Sequence, residues 1–177
     1  MTRGVYFALT ADERQAIESQ TEDAARIDAL QDVERRWDEA HLQETDKAWD
    51  AIHACLTECS YEDFEDDEAI FQADHGTYPL KLCVLGGKRL LSDDEWYVMR
   101  LIEPAEVVDI ARALDGIEHD WMHAQYRRCC LGEEPDAETE DEEGDDFGYV
   151  WGWFEDVRDF FKRMAGNGRC VVFSFSR

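Results

Sequence analysis

The most informative segment of the sequence is Thr45-Asp46-Lys47-Ala48-Trp49-Asp50-Ala51-Ile52-His53-Ala54-Cys55-Leu56-Thr57. Its larger side chains recur at i, i+3, i+4 and i+7, the spacing of one helix face, and are Trp49, Ile52, His53 and Leu56. We expect Thr45 to cap this helix and Asp46 to lie in its first turn, where the helix dipole favours a carboxylate. A lone histidine on an apolar face is usually packed and hydrogen-bonded, so the pattern favours a structural role for His53 over a functional one.

Length and composition predict a single folded domain over residues 1–177. The chain has 177 residues, which fits the usual domain size of about 100 to 200 residues. Hydrophobic residues make up 44% of it and aromatic residues 12%. Disordered chains lack that aromatic content, so most of the chain should be folded although 34% of its residues are charged.

The net charge of −25 is the strongest compositional signal, and it comes from 43 acidic against 18 basic side chains. Affinity for DNA or RNA rests on Lys and Arg that neutralise phosphates, so this charge disfavours nucleic-acid binding. A dense acidic surface would instead steer a cationic partner, either as a mimic of nucleic acid or as a surface that captures a basic protein. Solubility or adaptation to salt is the alternative explanation.

The cysteines and the N-terminal sequence predict a cytoplasmic protein. The six cysteines form no Cys-x-x-Cys pair, so we interpret them as reduced thiols. The chain reaches Asp12-Glu13-Arg14 before a signal-peptide apolar region can form, and no run approaches the ~20 apolar residues of a membrane span. We therefore predict no membrane association, and the sequence indicates no cofactor.

The sequence predicts four strands and six helices. Short apolar runs bounded by turn residues predict strands at 5–9, 80–85, 98–102 and 170–175. A capping box of Thr10 and Glu13 opens a first helix, and helical spacing predicts others at 22–38, around Trp49, and at 104–116, 117–130 and 150–164. Residues 61–74 are expected to be irregular or a short helix. The whole predicts an α+β fold, in which a small mixed sheet is covered by helices in a three-layer α-β-α arrangement.

The acidic run, residues 132–146, is the least core-like part of the chain. It carries ten carboxylates and no Val, Leu, Ile, Met or aromatic side chain. Such a segment cannot offset its ordering entropy by apolar burial. We therefore predict a mobile surface loop or insertion here.

Three short motifs suggest chemistry, and a structural explanation is favoured for each. His119 and His123 have the i, i+4 spacing of a helical zinc site, but no third ligand is identifiable, so we predict no stoichiometric metal. Cys55 and Cys59 have no basic neighbour in sequence that would lower a thiol pKa. The turn Gly86-Gly87-Lys88 lacks the further glycines and the Ser or Thr of a phosphate-binding loop.

Several segments together resemble the YfbM-like bacterial family (domain of unknown function 1877). The most specific is the Lys-Ala-Trp-Asp-x-Ile-His stretch at 47–53, which is followed about thirty residues later by Leu85-Gly86-Gly87. The others are the opening 4–10, the segment 104–107 and the aromatic C-terminal helix. The resemblance spans nearly the whole chain and implies an α-and-β domain with a sheet covered by helices. It implies no established activity and no catalytic residues.

Two functions are compatible with the sequence. The first is a non-enzymatic binding module, an antitoxin-like or immunity-like inhibitor that covers a basic protein with its acidic surface. The second is a small-molecule-binding or hydrolytic enzyme with a cleft around Trp49, Asp50, His53, Gly86 and Gly87. In that case His53 would be the acid-base group. The charge and the absence of a convincing catalytic set favour the binding module.

Overall fold

The computed structural model describes residues 3–60, 75–92, 96–132 and 144–176, without the side chains of residues 144 and 145. In this part of the chain a five-stranded sheet carries helices on both faces. The strands are β1 (Gly4–Leu9), β2 (Leu42–Asp46), β3 (Lys88–Arg89), β4 (Tyr97–Ile102) and β5 (Cys170–Ser176). The helices are α1 (Ala11–Glu18), α2 (Asp23–Glu34), α3 (Trp49–Thr57), α4 (Pro104–Asp115), α5 (His119–Cys130) and α6 (Gly144–Ala165). A short 3₁₀ helix, Leu80–Leu82, precedes β3.

The strand order in the sheet is β2-β1-β5-β4-β3. The C-terminal strand β5 is central, with Val5 of β1 opposite Ser174 and Val98 of β4 opposite Phe175. Its nearly continuous apolar sequence suits this place, because a central strand covered on both faces has no side for solvent. The described strands pair only in antiparallel fashion, whereas the sequence suggested a mixed sheet.

Alternate residues of the strands enter two separate cores. Tyr6 and Phe173 belong to the larger core, which α3, α4, α5 and α6 cover. Phe7 and Val172 belong to the smaller core under α1 and α2. This alternation follows from the two-residue period of a strand. The α+β class and the three-layer arrangement predicted from the sequence are confirmed.

Helix α6 supplies the centre of the larger core. Its apolar residues repeat with helical spacing and are buried, among them Val150, Phe154, Val157, Phe160, Phe161 and Met164. The ring of Tyr6 lies 4.8 Å from that of Phe173 and 5.4 Å from that of Phe161, measured between centroids. The predicted C-terminal core helix is therefore confirmed, and Trp153 lies half-buried at its edge.

The predicted start of α3 is corrected by the structure. Residues Leu42–Asp46 form β2 along β1, and the hydroxyl of Thr45 donates a 2.9 Å hydrogen bond to the Gly4 carbonyl instead of capping a helix. Helix α3 begins only at Trp49, and its N-cap residue Ala48 provides no side-chain cap. Strand β2 is not predictable from the sequence, because this polar edge strand has little apolar alternation.

Two further boundaries differ from the prediction. The predicted strand 80–85 is buried only from residue 82 onward and consists of the 3₁₀ helix followed by a turn, because an apolar run reports burial without specifying the backbone. The predicted helix 22–38 ends at Glu34, and Trp37 follows with a φ of 44° and 42% exposure. The capping box of Thr10 and Glu13 is confirmed.

Part of the predicted irregular structure lies outside the described residues, namely 61–74 and, in the acidic run, 133–143. The last three residues of the run, 144–146, open α6, so the predicted end of the loop moves by three residues. None of the described helices combines the length and the apolar character needed to cross a membrane.

Candidate functional site

Trp49 is a core residue at the start of α3. Its side chain is 4% exposed, and its ring stacks on that of Phe175 in the central strand, with centroids 4.4 Å apart. Offset stacking of this kind adds to the stabilisation from burial of an aromatic side chain. Packing of α3 on the sheet therefore accounts for Trp49.

Asp50 lines a cleft that α3 forms with α5 and the start of α6. The cleft has a volume of 240 Å³, and Tyr126, Cys130, Asp146 and Tyr149 also line it. Burial raises the pKa of Asp50, while a 2.7 Å hydrogen bond from the Ala51 amide opposes this effect. The cleft thus combines two carboxylates and Lys47 with aromatic walls.

His53 lies beneath the surface on the same helix, with 3% of its side chain exposed. Burial lowers the pKa of His53 to about 3, and the charges of His75 and Arg100 act in the same direction. The imidazole is therefore neutral at neutral pH. Within the described part of the chain, its buried Nδ1 has no hydrogen-bond partner. A buried polar atom without a partner destabilises a fold, so it is a candidate contact for a ligand.

Arg100 is the functional candidate that the sequence analysis missed. It is 3% exposed on β4, and its Nε donates a 3.0 Å hydrogen bond to the Leu85 carbonyl. The available signal was a single charge inside the apolar run 98–102. A fully buried arginine needs partners, because an uncompensated buried charge is costly. Arg100 thus binds the segment that contains Leu85, and its charge contributes to the lowered pKa of His53.

Gly86 and Gly87 lie at two crossings where the backbone passes very close to another backbone segment. A Cβ atom added at Gly86 would lie 2.1 Å from the carbonyl oxygen of Lys81. At Gly87 it would lie 2.7 Å from the carbonyl oxygen of Leu101 on β4. Only glycine fits such approaches without displacing the backbone. The crossings account for the glycine pair without any phosphate group.

The five predicted binding residues thus occupy three environments. His53 lies near Arg100, which holds the Leu85 carbonyl just before the glycine pair. Trp49 packs on Phe175, and Asp50 lines the cleft beside α5 and α6. The structure therefore favours His53 with Arg100 as one candidate site and the Asp50 cleft as another.

The two histidines of the predicted zinc motif lie on α5, with ring centroids 6.3 Å apart. The ring of His119 lies edge-on to those of Phe147 and Trp151, at 5.2 and 5.0 Å between centroids. Among the described residues, no group of three or more His, Cys, Asp or Glu side chains is placed to hold a metal ion. The absence of stoichiometric metal stays a prediction.

A second cleft, of 230 Å³, opens between β1, α2 and the loops beside them. Arg36, His41 and Arg169 line it, and the first two already have acidic partners. Arg36 forms an ion pair with Glu13, and Nδ1 of His41 lies 2.8 Å from Oδ2 of Asp38. Arg169 also lines it and donates a 3.2 Å hydrogen bond to the Ala8 carbonyl.

Basic side chains are largely engaged by the protein's own carboxylates. Ten of the 18 Lys and Arg side chains form ion pairs with Asp or Glu among the described residues. One arginine, Arg14, bonds both Glu18 and Glu103. Because acidic side chains outnumber basic ones by 43 to 18, the surface keeps a large uncompensated negative charge.

Together, the fold and its sites define an α+β domain whose antiparallel sheet lies between two helical layers. The sequence matches the family described as a domain of unknown function (DUF1877) over residues 1–174, and the chain belongs to that family. The resemblance found in the sequence is thereby confirmed. A similar solved structure is a protein of unknown function, YfbM from Escherichia coli, with 21% identity, a TM-score of 0.61 and 99% of each chain covered. At that identity the likeness concerns the fold alone. No curated protein matches the chain.

Proposed function

We propose that this protein is a non-enzymatic binding module whose acidic surface captures a basic protein, in the manner of an antitoxin or immunity protein. The observation that carries the proposal is the charge left after internal pairing. Ten basic side chains of the described residues already have acidic partners, and the excess of 43 acidic over 18 basic side chains leaves the net charge of −25. Such a surface attracts cationic partners and repels anionic ones.

The acidic run favours the region between α5 and α6 as the capture surface. The run connects the end of α5 to the start of α6 and contributes ten carboxylates. Asp146, at the start of α6, and Asp50, on α3, line one cleft in that region. Close by, the hydroxyl of Tyr149 donates a 2.9 Å hydrogen bond to Asp46. Carboxylates and aromatic rings together suit Lys and Arg side chains.

Capture of this kind acts mainly through the association rate. Exposed charges attract a partner over a distance that salt limits to ~8 Å at physiological ionic strength. They therefore accelerate encounter and make it salt-dependent, while close contacts decide how slowly the complex dissociates. The proposal predicts a partner whose binding weakens as salt increases.

The test compares two variants with the same loss of charge. One neutralises four carboxylates of the acidic run, Glu140, Asp141, Glu142 and Glu143, to Gln or Asn. The matched control neutralises four exposed carboxylates on the α1 and α2 side, Asp12, Glu22, Asp28 and Glu39. Affinity capture from lysate of the source organism, followed by mass spectrometry, should find a basic protein with the wild type and the control, and much less with the run variant. Equal capture by both variants would reject the acidic run as the recognition element.

A small-molecule-binding or hydrolytic function is the second candidate, and the buried His53 favours it. Its Nδ1 has no partner among the described residues, and Arg100 lies near it. The pair could bind an acidic group or position water, although a histidine that stays neutral down to acidic pH is a weak base. A screen with ester and phosphoester substrates tests this function. Activity lost in His53→Gln and kept in His41→Gln would favour the enzyme over the binding module.

A further inference from the structure

The cleft of 230 Å³ lies on the face of the sheet that α1 and α2 cover. Phe7, Ala8 and Val33 supply its apolar lining. Its charged lining includes two arginines, Arg36 and Arg169, and two carboxylates. This balance differs from that of the whole chain, in which acidic side chains outnumber basic ones by 43 to 18. The cleft is therefore a place where an anionic ligand could be bound.

Both carboxylates of this cleft, Glu13 and Asp38, already have partners inside the protein. One oxygen of Glu13 accepts a 2.7 Å hydrogen bond from a backbone amide in the capping box of α1, and the other forms an ion pair with Arg36. Oδ1 of Asp38 accepts a 3.2 Å hydrogen bond from the Ala40 amide, and Oδ2 lies 2.8 Å from Nδ1 of His41. Each of the four carboxylate oxygens is therefore held by a contact other than Arg169.

Among the described residues, Arg169 is the arginine of this cleft that forms no ion pair with Asp or Glu. Its Nη1 donates a 3.2 Å hydrogen bond to the Ala8 carbonyl. An arginine has five N–H donors in a planar fork. The contact with Ala8 uses one of these donors and holds the half-buried side chain against the lining of the cleft.

The backbone around Arg169 fixes its position. Gly168 has a φ of 64°, in the left-handed region that favours glycine, and it leads the chain from α6 toward β5. Directly after Arg169, Cys170 pairs with Leu9 of β1. The side chain is thus anchored through the strand pairing and through Ala8. A donor held in this way loses little conformational freedom when a ligand binds.

Local charges, rather than the net charge of the chain, decide which ligand this cleft attracts. At physiological ionic strength, exposed charges separated by more than ~8 Å are largely screened from one another. The hydrogen bond from His41 lowers the pKa of Asp38, and the charge of Arg169 acts in the same direction. Because two arginines balance two carboxylates, the described lining carries no excess of negative charge.

We propose that this cleft binds a small organic oxyanion, a molecule with a phosphate or carboxylate group, and that Arg169 is its main contact. The guanidinium fork matches two oxygens of such a group, and charge-assisted hydrogen bonds of this kind are strong. Phe7 and Val33 offer an apolar wall to the rest of the molecule, and Arg36 adds a second positive charge. The acidic capture surface lies between α5 and α6, so the failure of either proposal leaves the other in place.

The experiment titrates the isotope-labelled, full-length protein with phenyl phosphate, with benzoate and with uncharged benzyl alcohol, at physiological ionic strength, and follows the amide signals by NMR. We expect saturable shifts at the residues of the cleft with one or both anions, and the tighter anion identifies the group that the site prefers. Benzyl alcohol should cause much smaller shifts. Absence of saturable shifts at the cleft with both anions, or equal binding of benzyl alcohol, would overturn the proposal.

Arg169→Gln removes the charged fork and keeps an amide donor. It should weaken anion binding by about tenfold or more, since a charge-assisted hydrogen bond is lost. Arg35→Gln is the matched control, because Arg35 loses the same charge at an exposed side chain that is paired with Asp32 and does not line the cleft. It should change the Kd by less than about twofold. Equal weakening by the two variants would show that net charge alone is responsible and would reject Arg169 as the contact.

Asp38→Asn tests the site in the opposite direction and also serves if Arg169→Gln does not fold. It removes a negative charge from the lining of the cleft and should tighten anion binding by about two- to fivefold. The loss of a merely structural contact would not raise the affinity. Circular dichroism verifies the fold of each variant. A folded Arg169→Gln variant that binds as tightly as the wild type, or an Asp38→Asn variant that binds no more tightly, would overturn the proposal.

Discussion

Two regions of this molecule differ in whether the fold explains their residues. The signature, which we define as residues 47–53 and 85–87, is largely buried, and contacts within the fold explain most of its residues. Trp49 stacks on Phe175, and Gly86 passes close to the Lys81 carbonyl. The acidic run has ten carboxylates and no large apolar side chain, so it cannot contribute to a core. Membership of the family and a protein's own binding properties can therefore reside in different segments.

The largest expected effect comes from the signature tryptophan. Trp49→Ala removes a side chain that is 4% exposed and stacked on the central strand, so it should cost about 3–5 kcal/mol of unfolding free energy. Urea denaturation measures this cost. Trp96→Ala is the control, because Trp96 is 73% exposed, and it should change stability by less than about 0.5 kcal/mol. Equal changes in unfolding free energy for the two substitutions would show that Trp49 is not a core residue.

The next effect concerns acid stability. The pKa of His53 is lowered from its usual 6.5 to about 3 in the fold, so the unfolded chain binds the proton more readily. Stability from this group is fully present above pH 6.5 and is lost as the pH falls toward 3, by about 2 kcal/mol between pH 7 and pH 5. His53→Gln should remove this dependence of the unfolding free energy on pH. The contribution of Asp50 should be the same in both proteins. The same pH dependence of stability in the wild type and in His53→Gln would show that the fold does not lower the pKa of His53.

A smaller effect on stability should distinguish the glycines of the signature from those of α6. Gly86→Ala places a Cβ 2.1 Å from a backbone carbonyl oxygen and should cost about 1–3 kcal/mol. Gly148→Ala meets nothing within 4 Å on α6 and should stabilise the protein by about 0.5–1 kcal/mol through helix propensity. Thermal denaturation distinguishes the two. Tolerance of alanine at Gly86 would make a ligand the better explanation of the glycine pair.

Strong local patterns made much of the fold predictable from the sequence. The apolar run of β5, the helical spacing of α6 and the capping box of Thr10 with Glu13 each determine their own conformation. Strand β2 was missed because its five residues pair with β1 through the backbone and bury only Leu42 and Thr45. An edge strand of this kind carries no periodic signal.

Contacts between residues far apart in the sequence limit how much of the candidate sites can be predicted. Trp49, Asp50 and His53 could be singled out because one helix carries them. The approach of Arg100 to Leu85 depends on how separate elements pack. Spacing within one segment cannot reveal such a contact, so the sequence identified His53 as a candidate but not Arg100.

The smallest expected effect on stability belongs to the acidic run, and it should coincide with the largest effect on binding. Replacing residues 132–146 with a short Gly/Ser linker removes ten carboxylates and no large apolar group. The melting temperature should stay within a few degrees, because little apolar area is lost.

The decisive test of the acidic run as the capture surface is stopped-flow association of this linker variant with the captured basic partner over a range of salt concentrations. We expect an association rate at least tenfold lower than that of the wild type at low salt and a weaker dependence on salt, since steering by the run is lost. The same association rate and the same salt dependence in both proteins would show that the acidic run is not a recognition element but a solvated insertion.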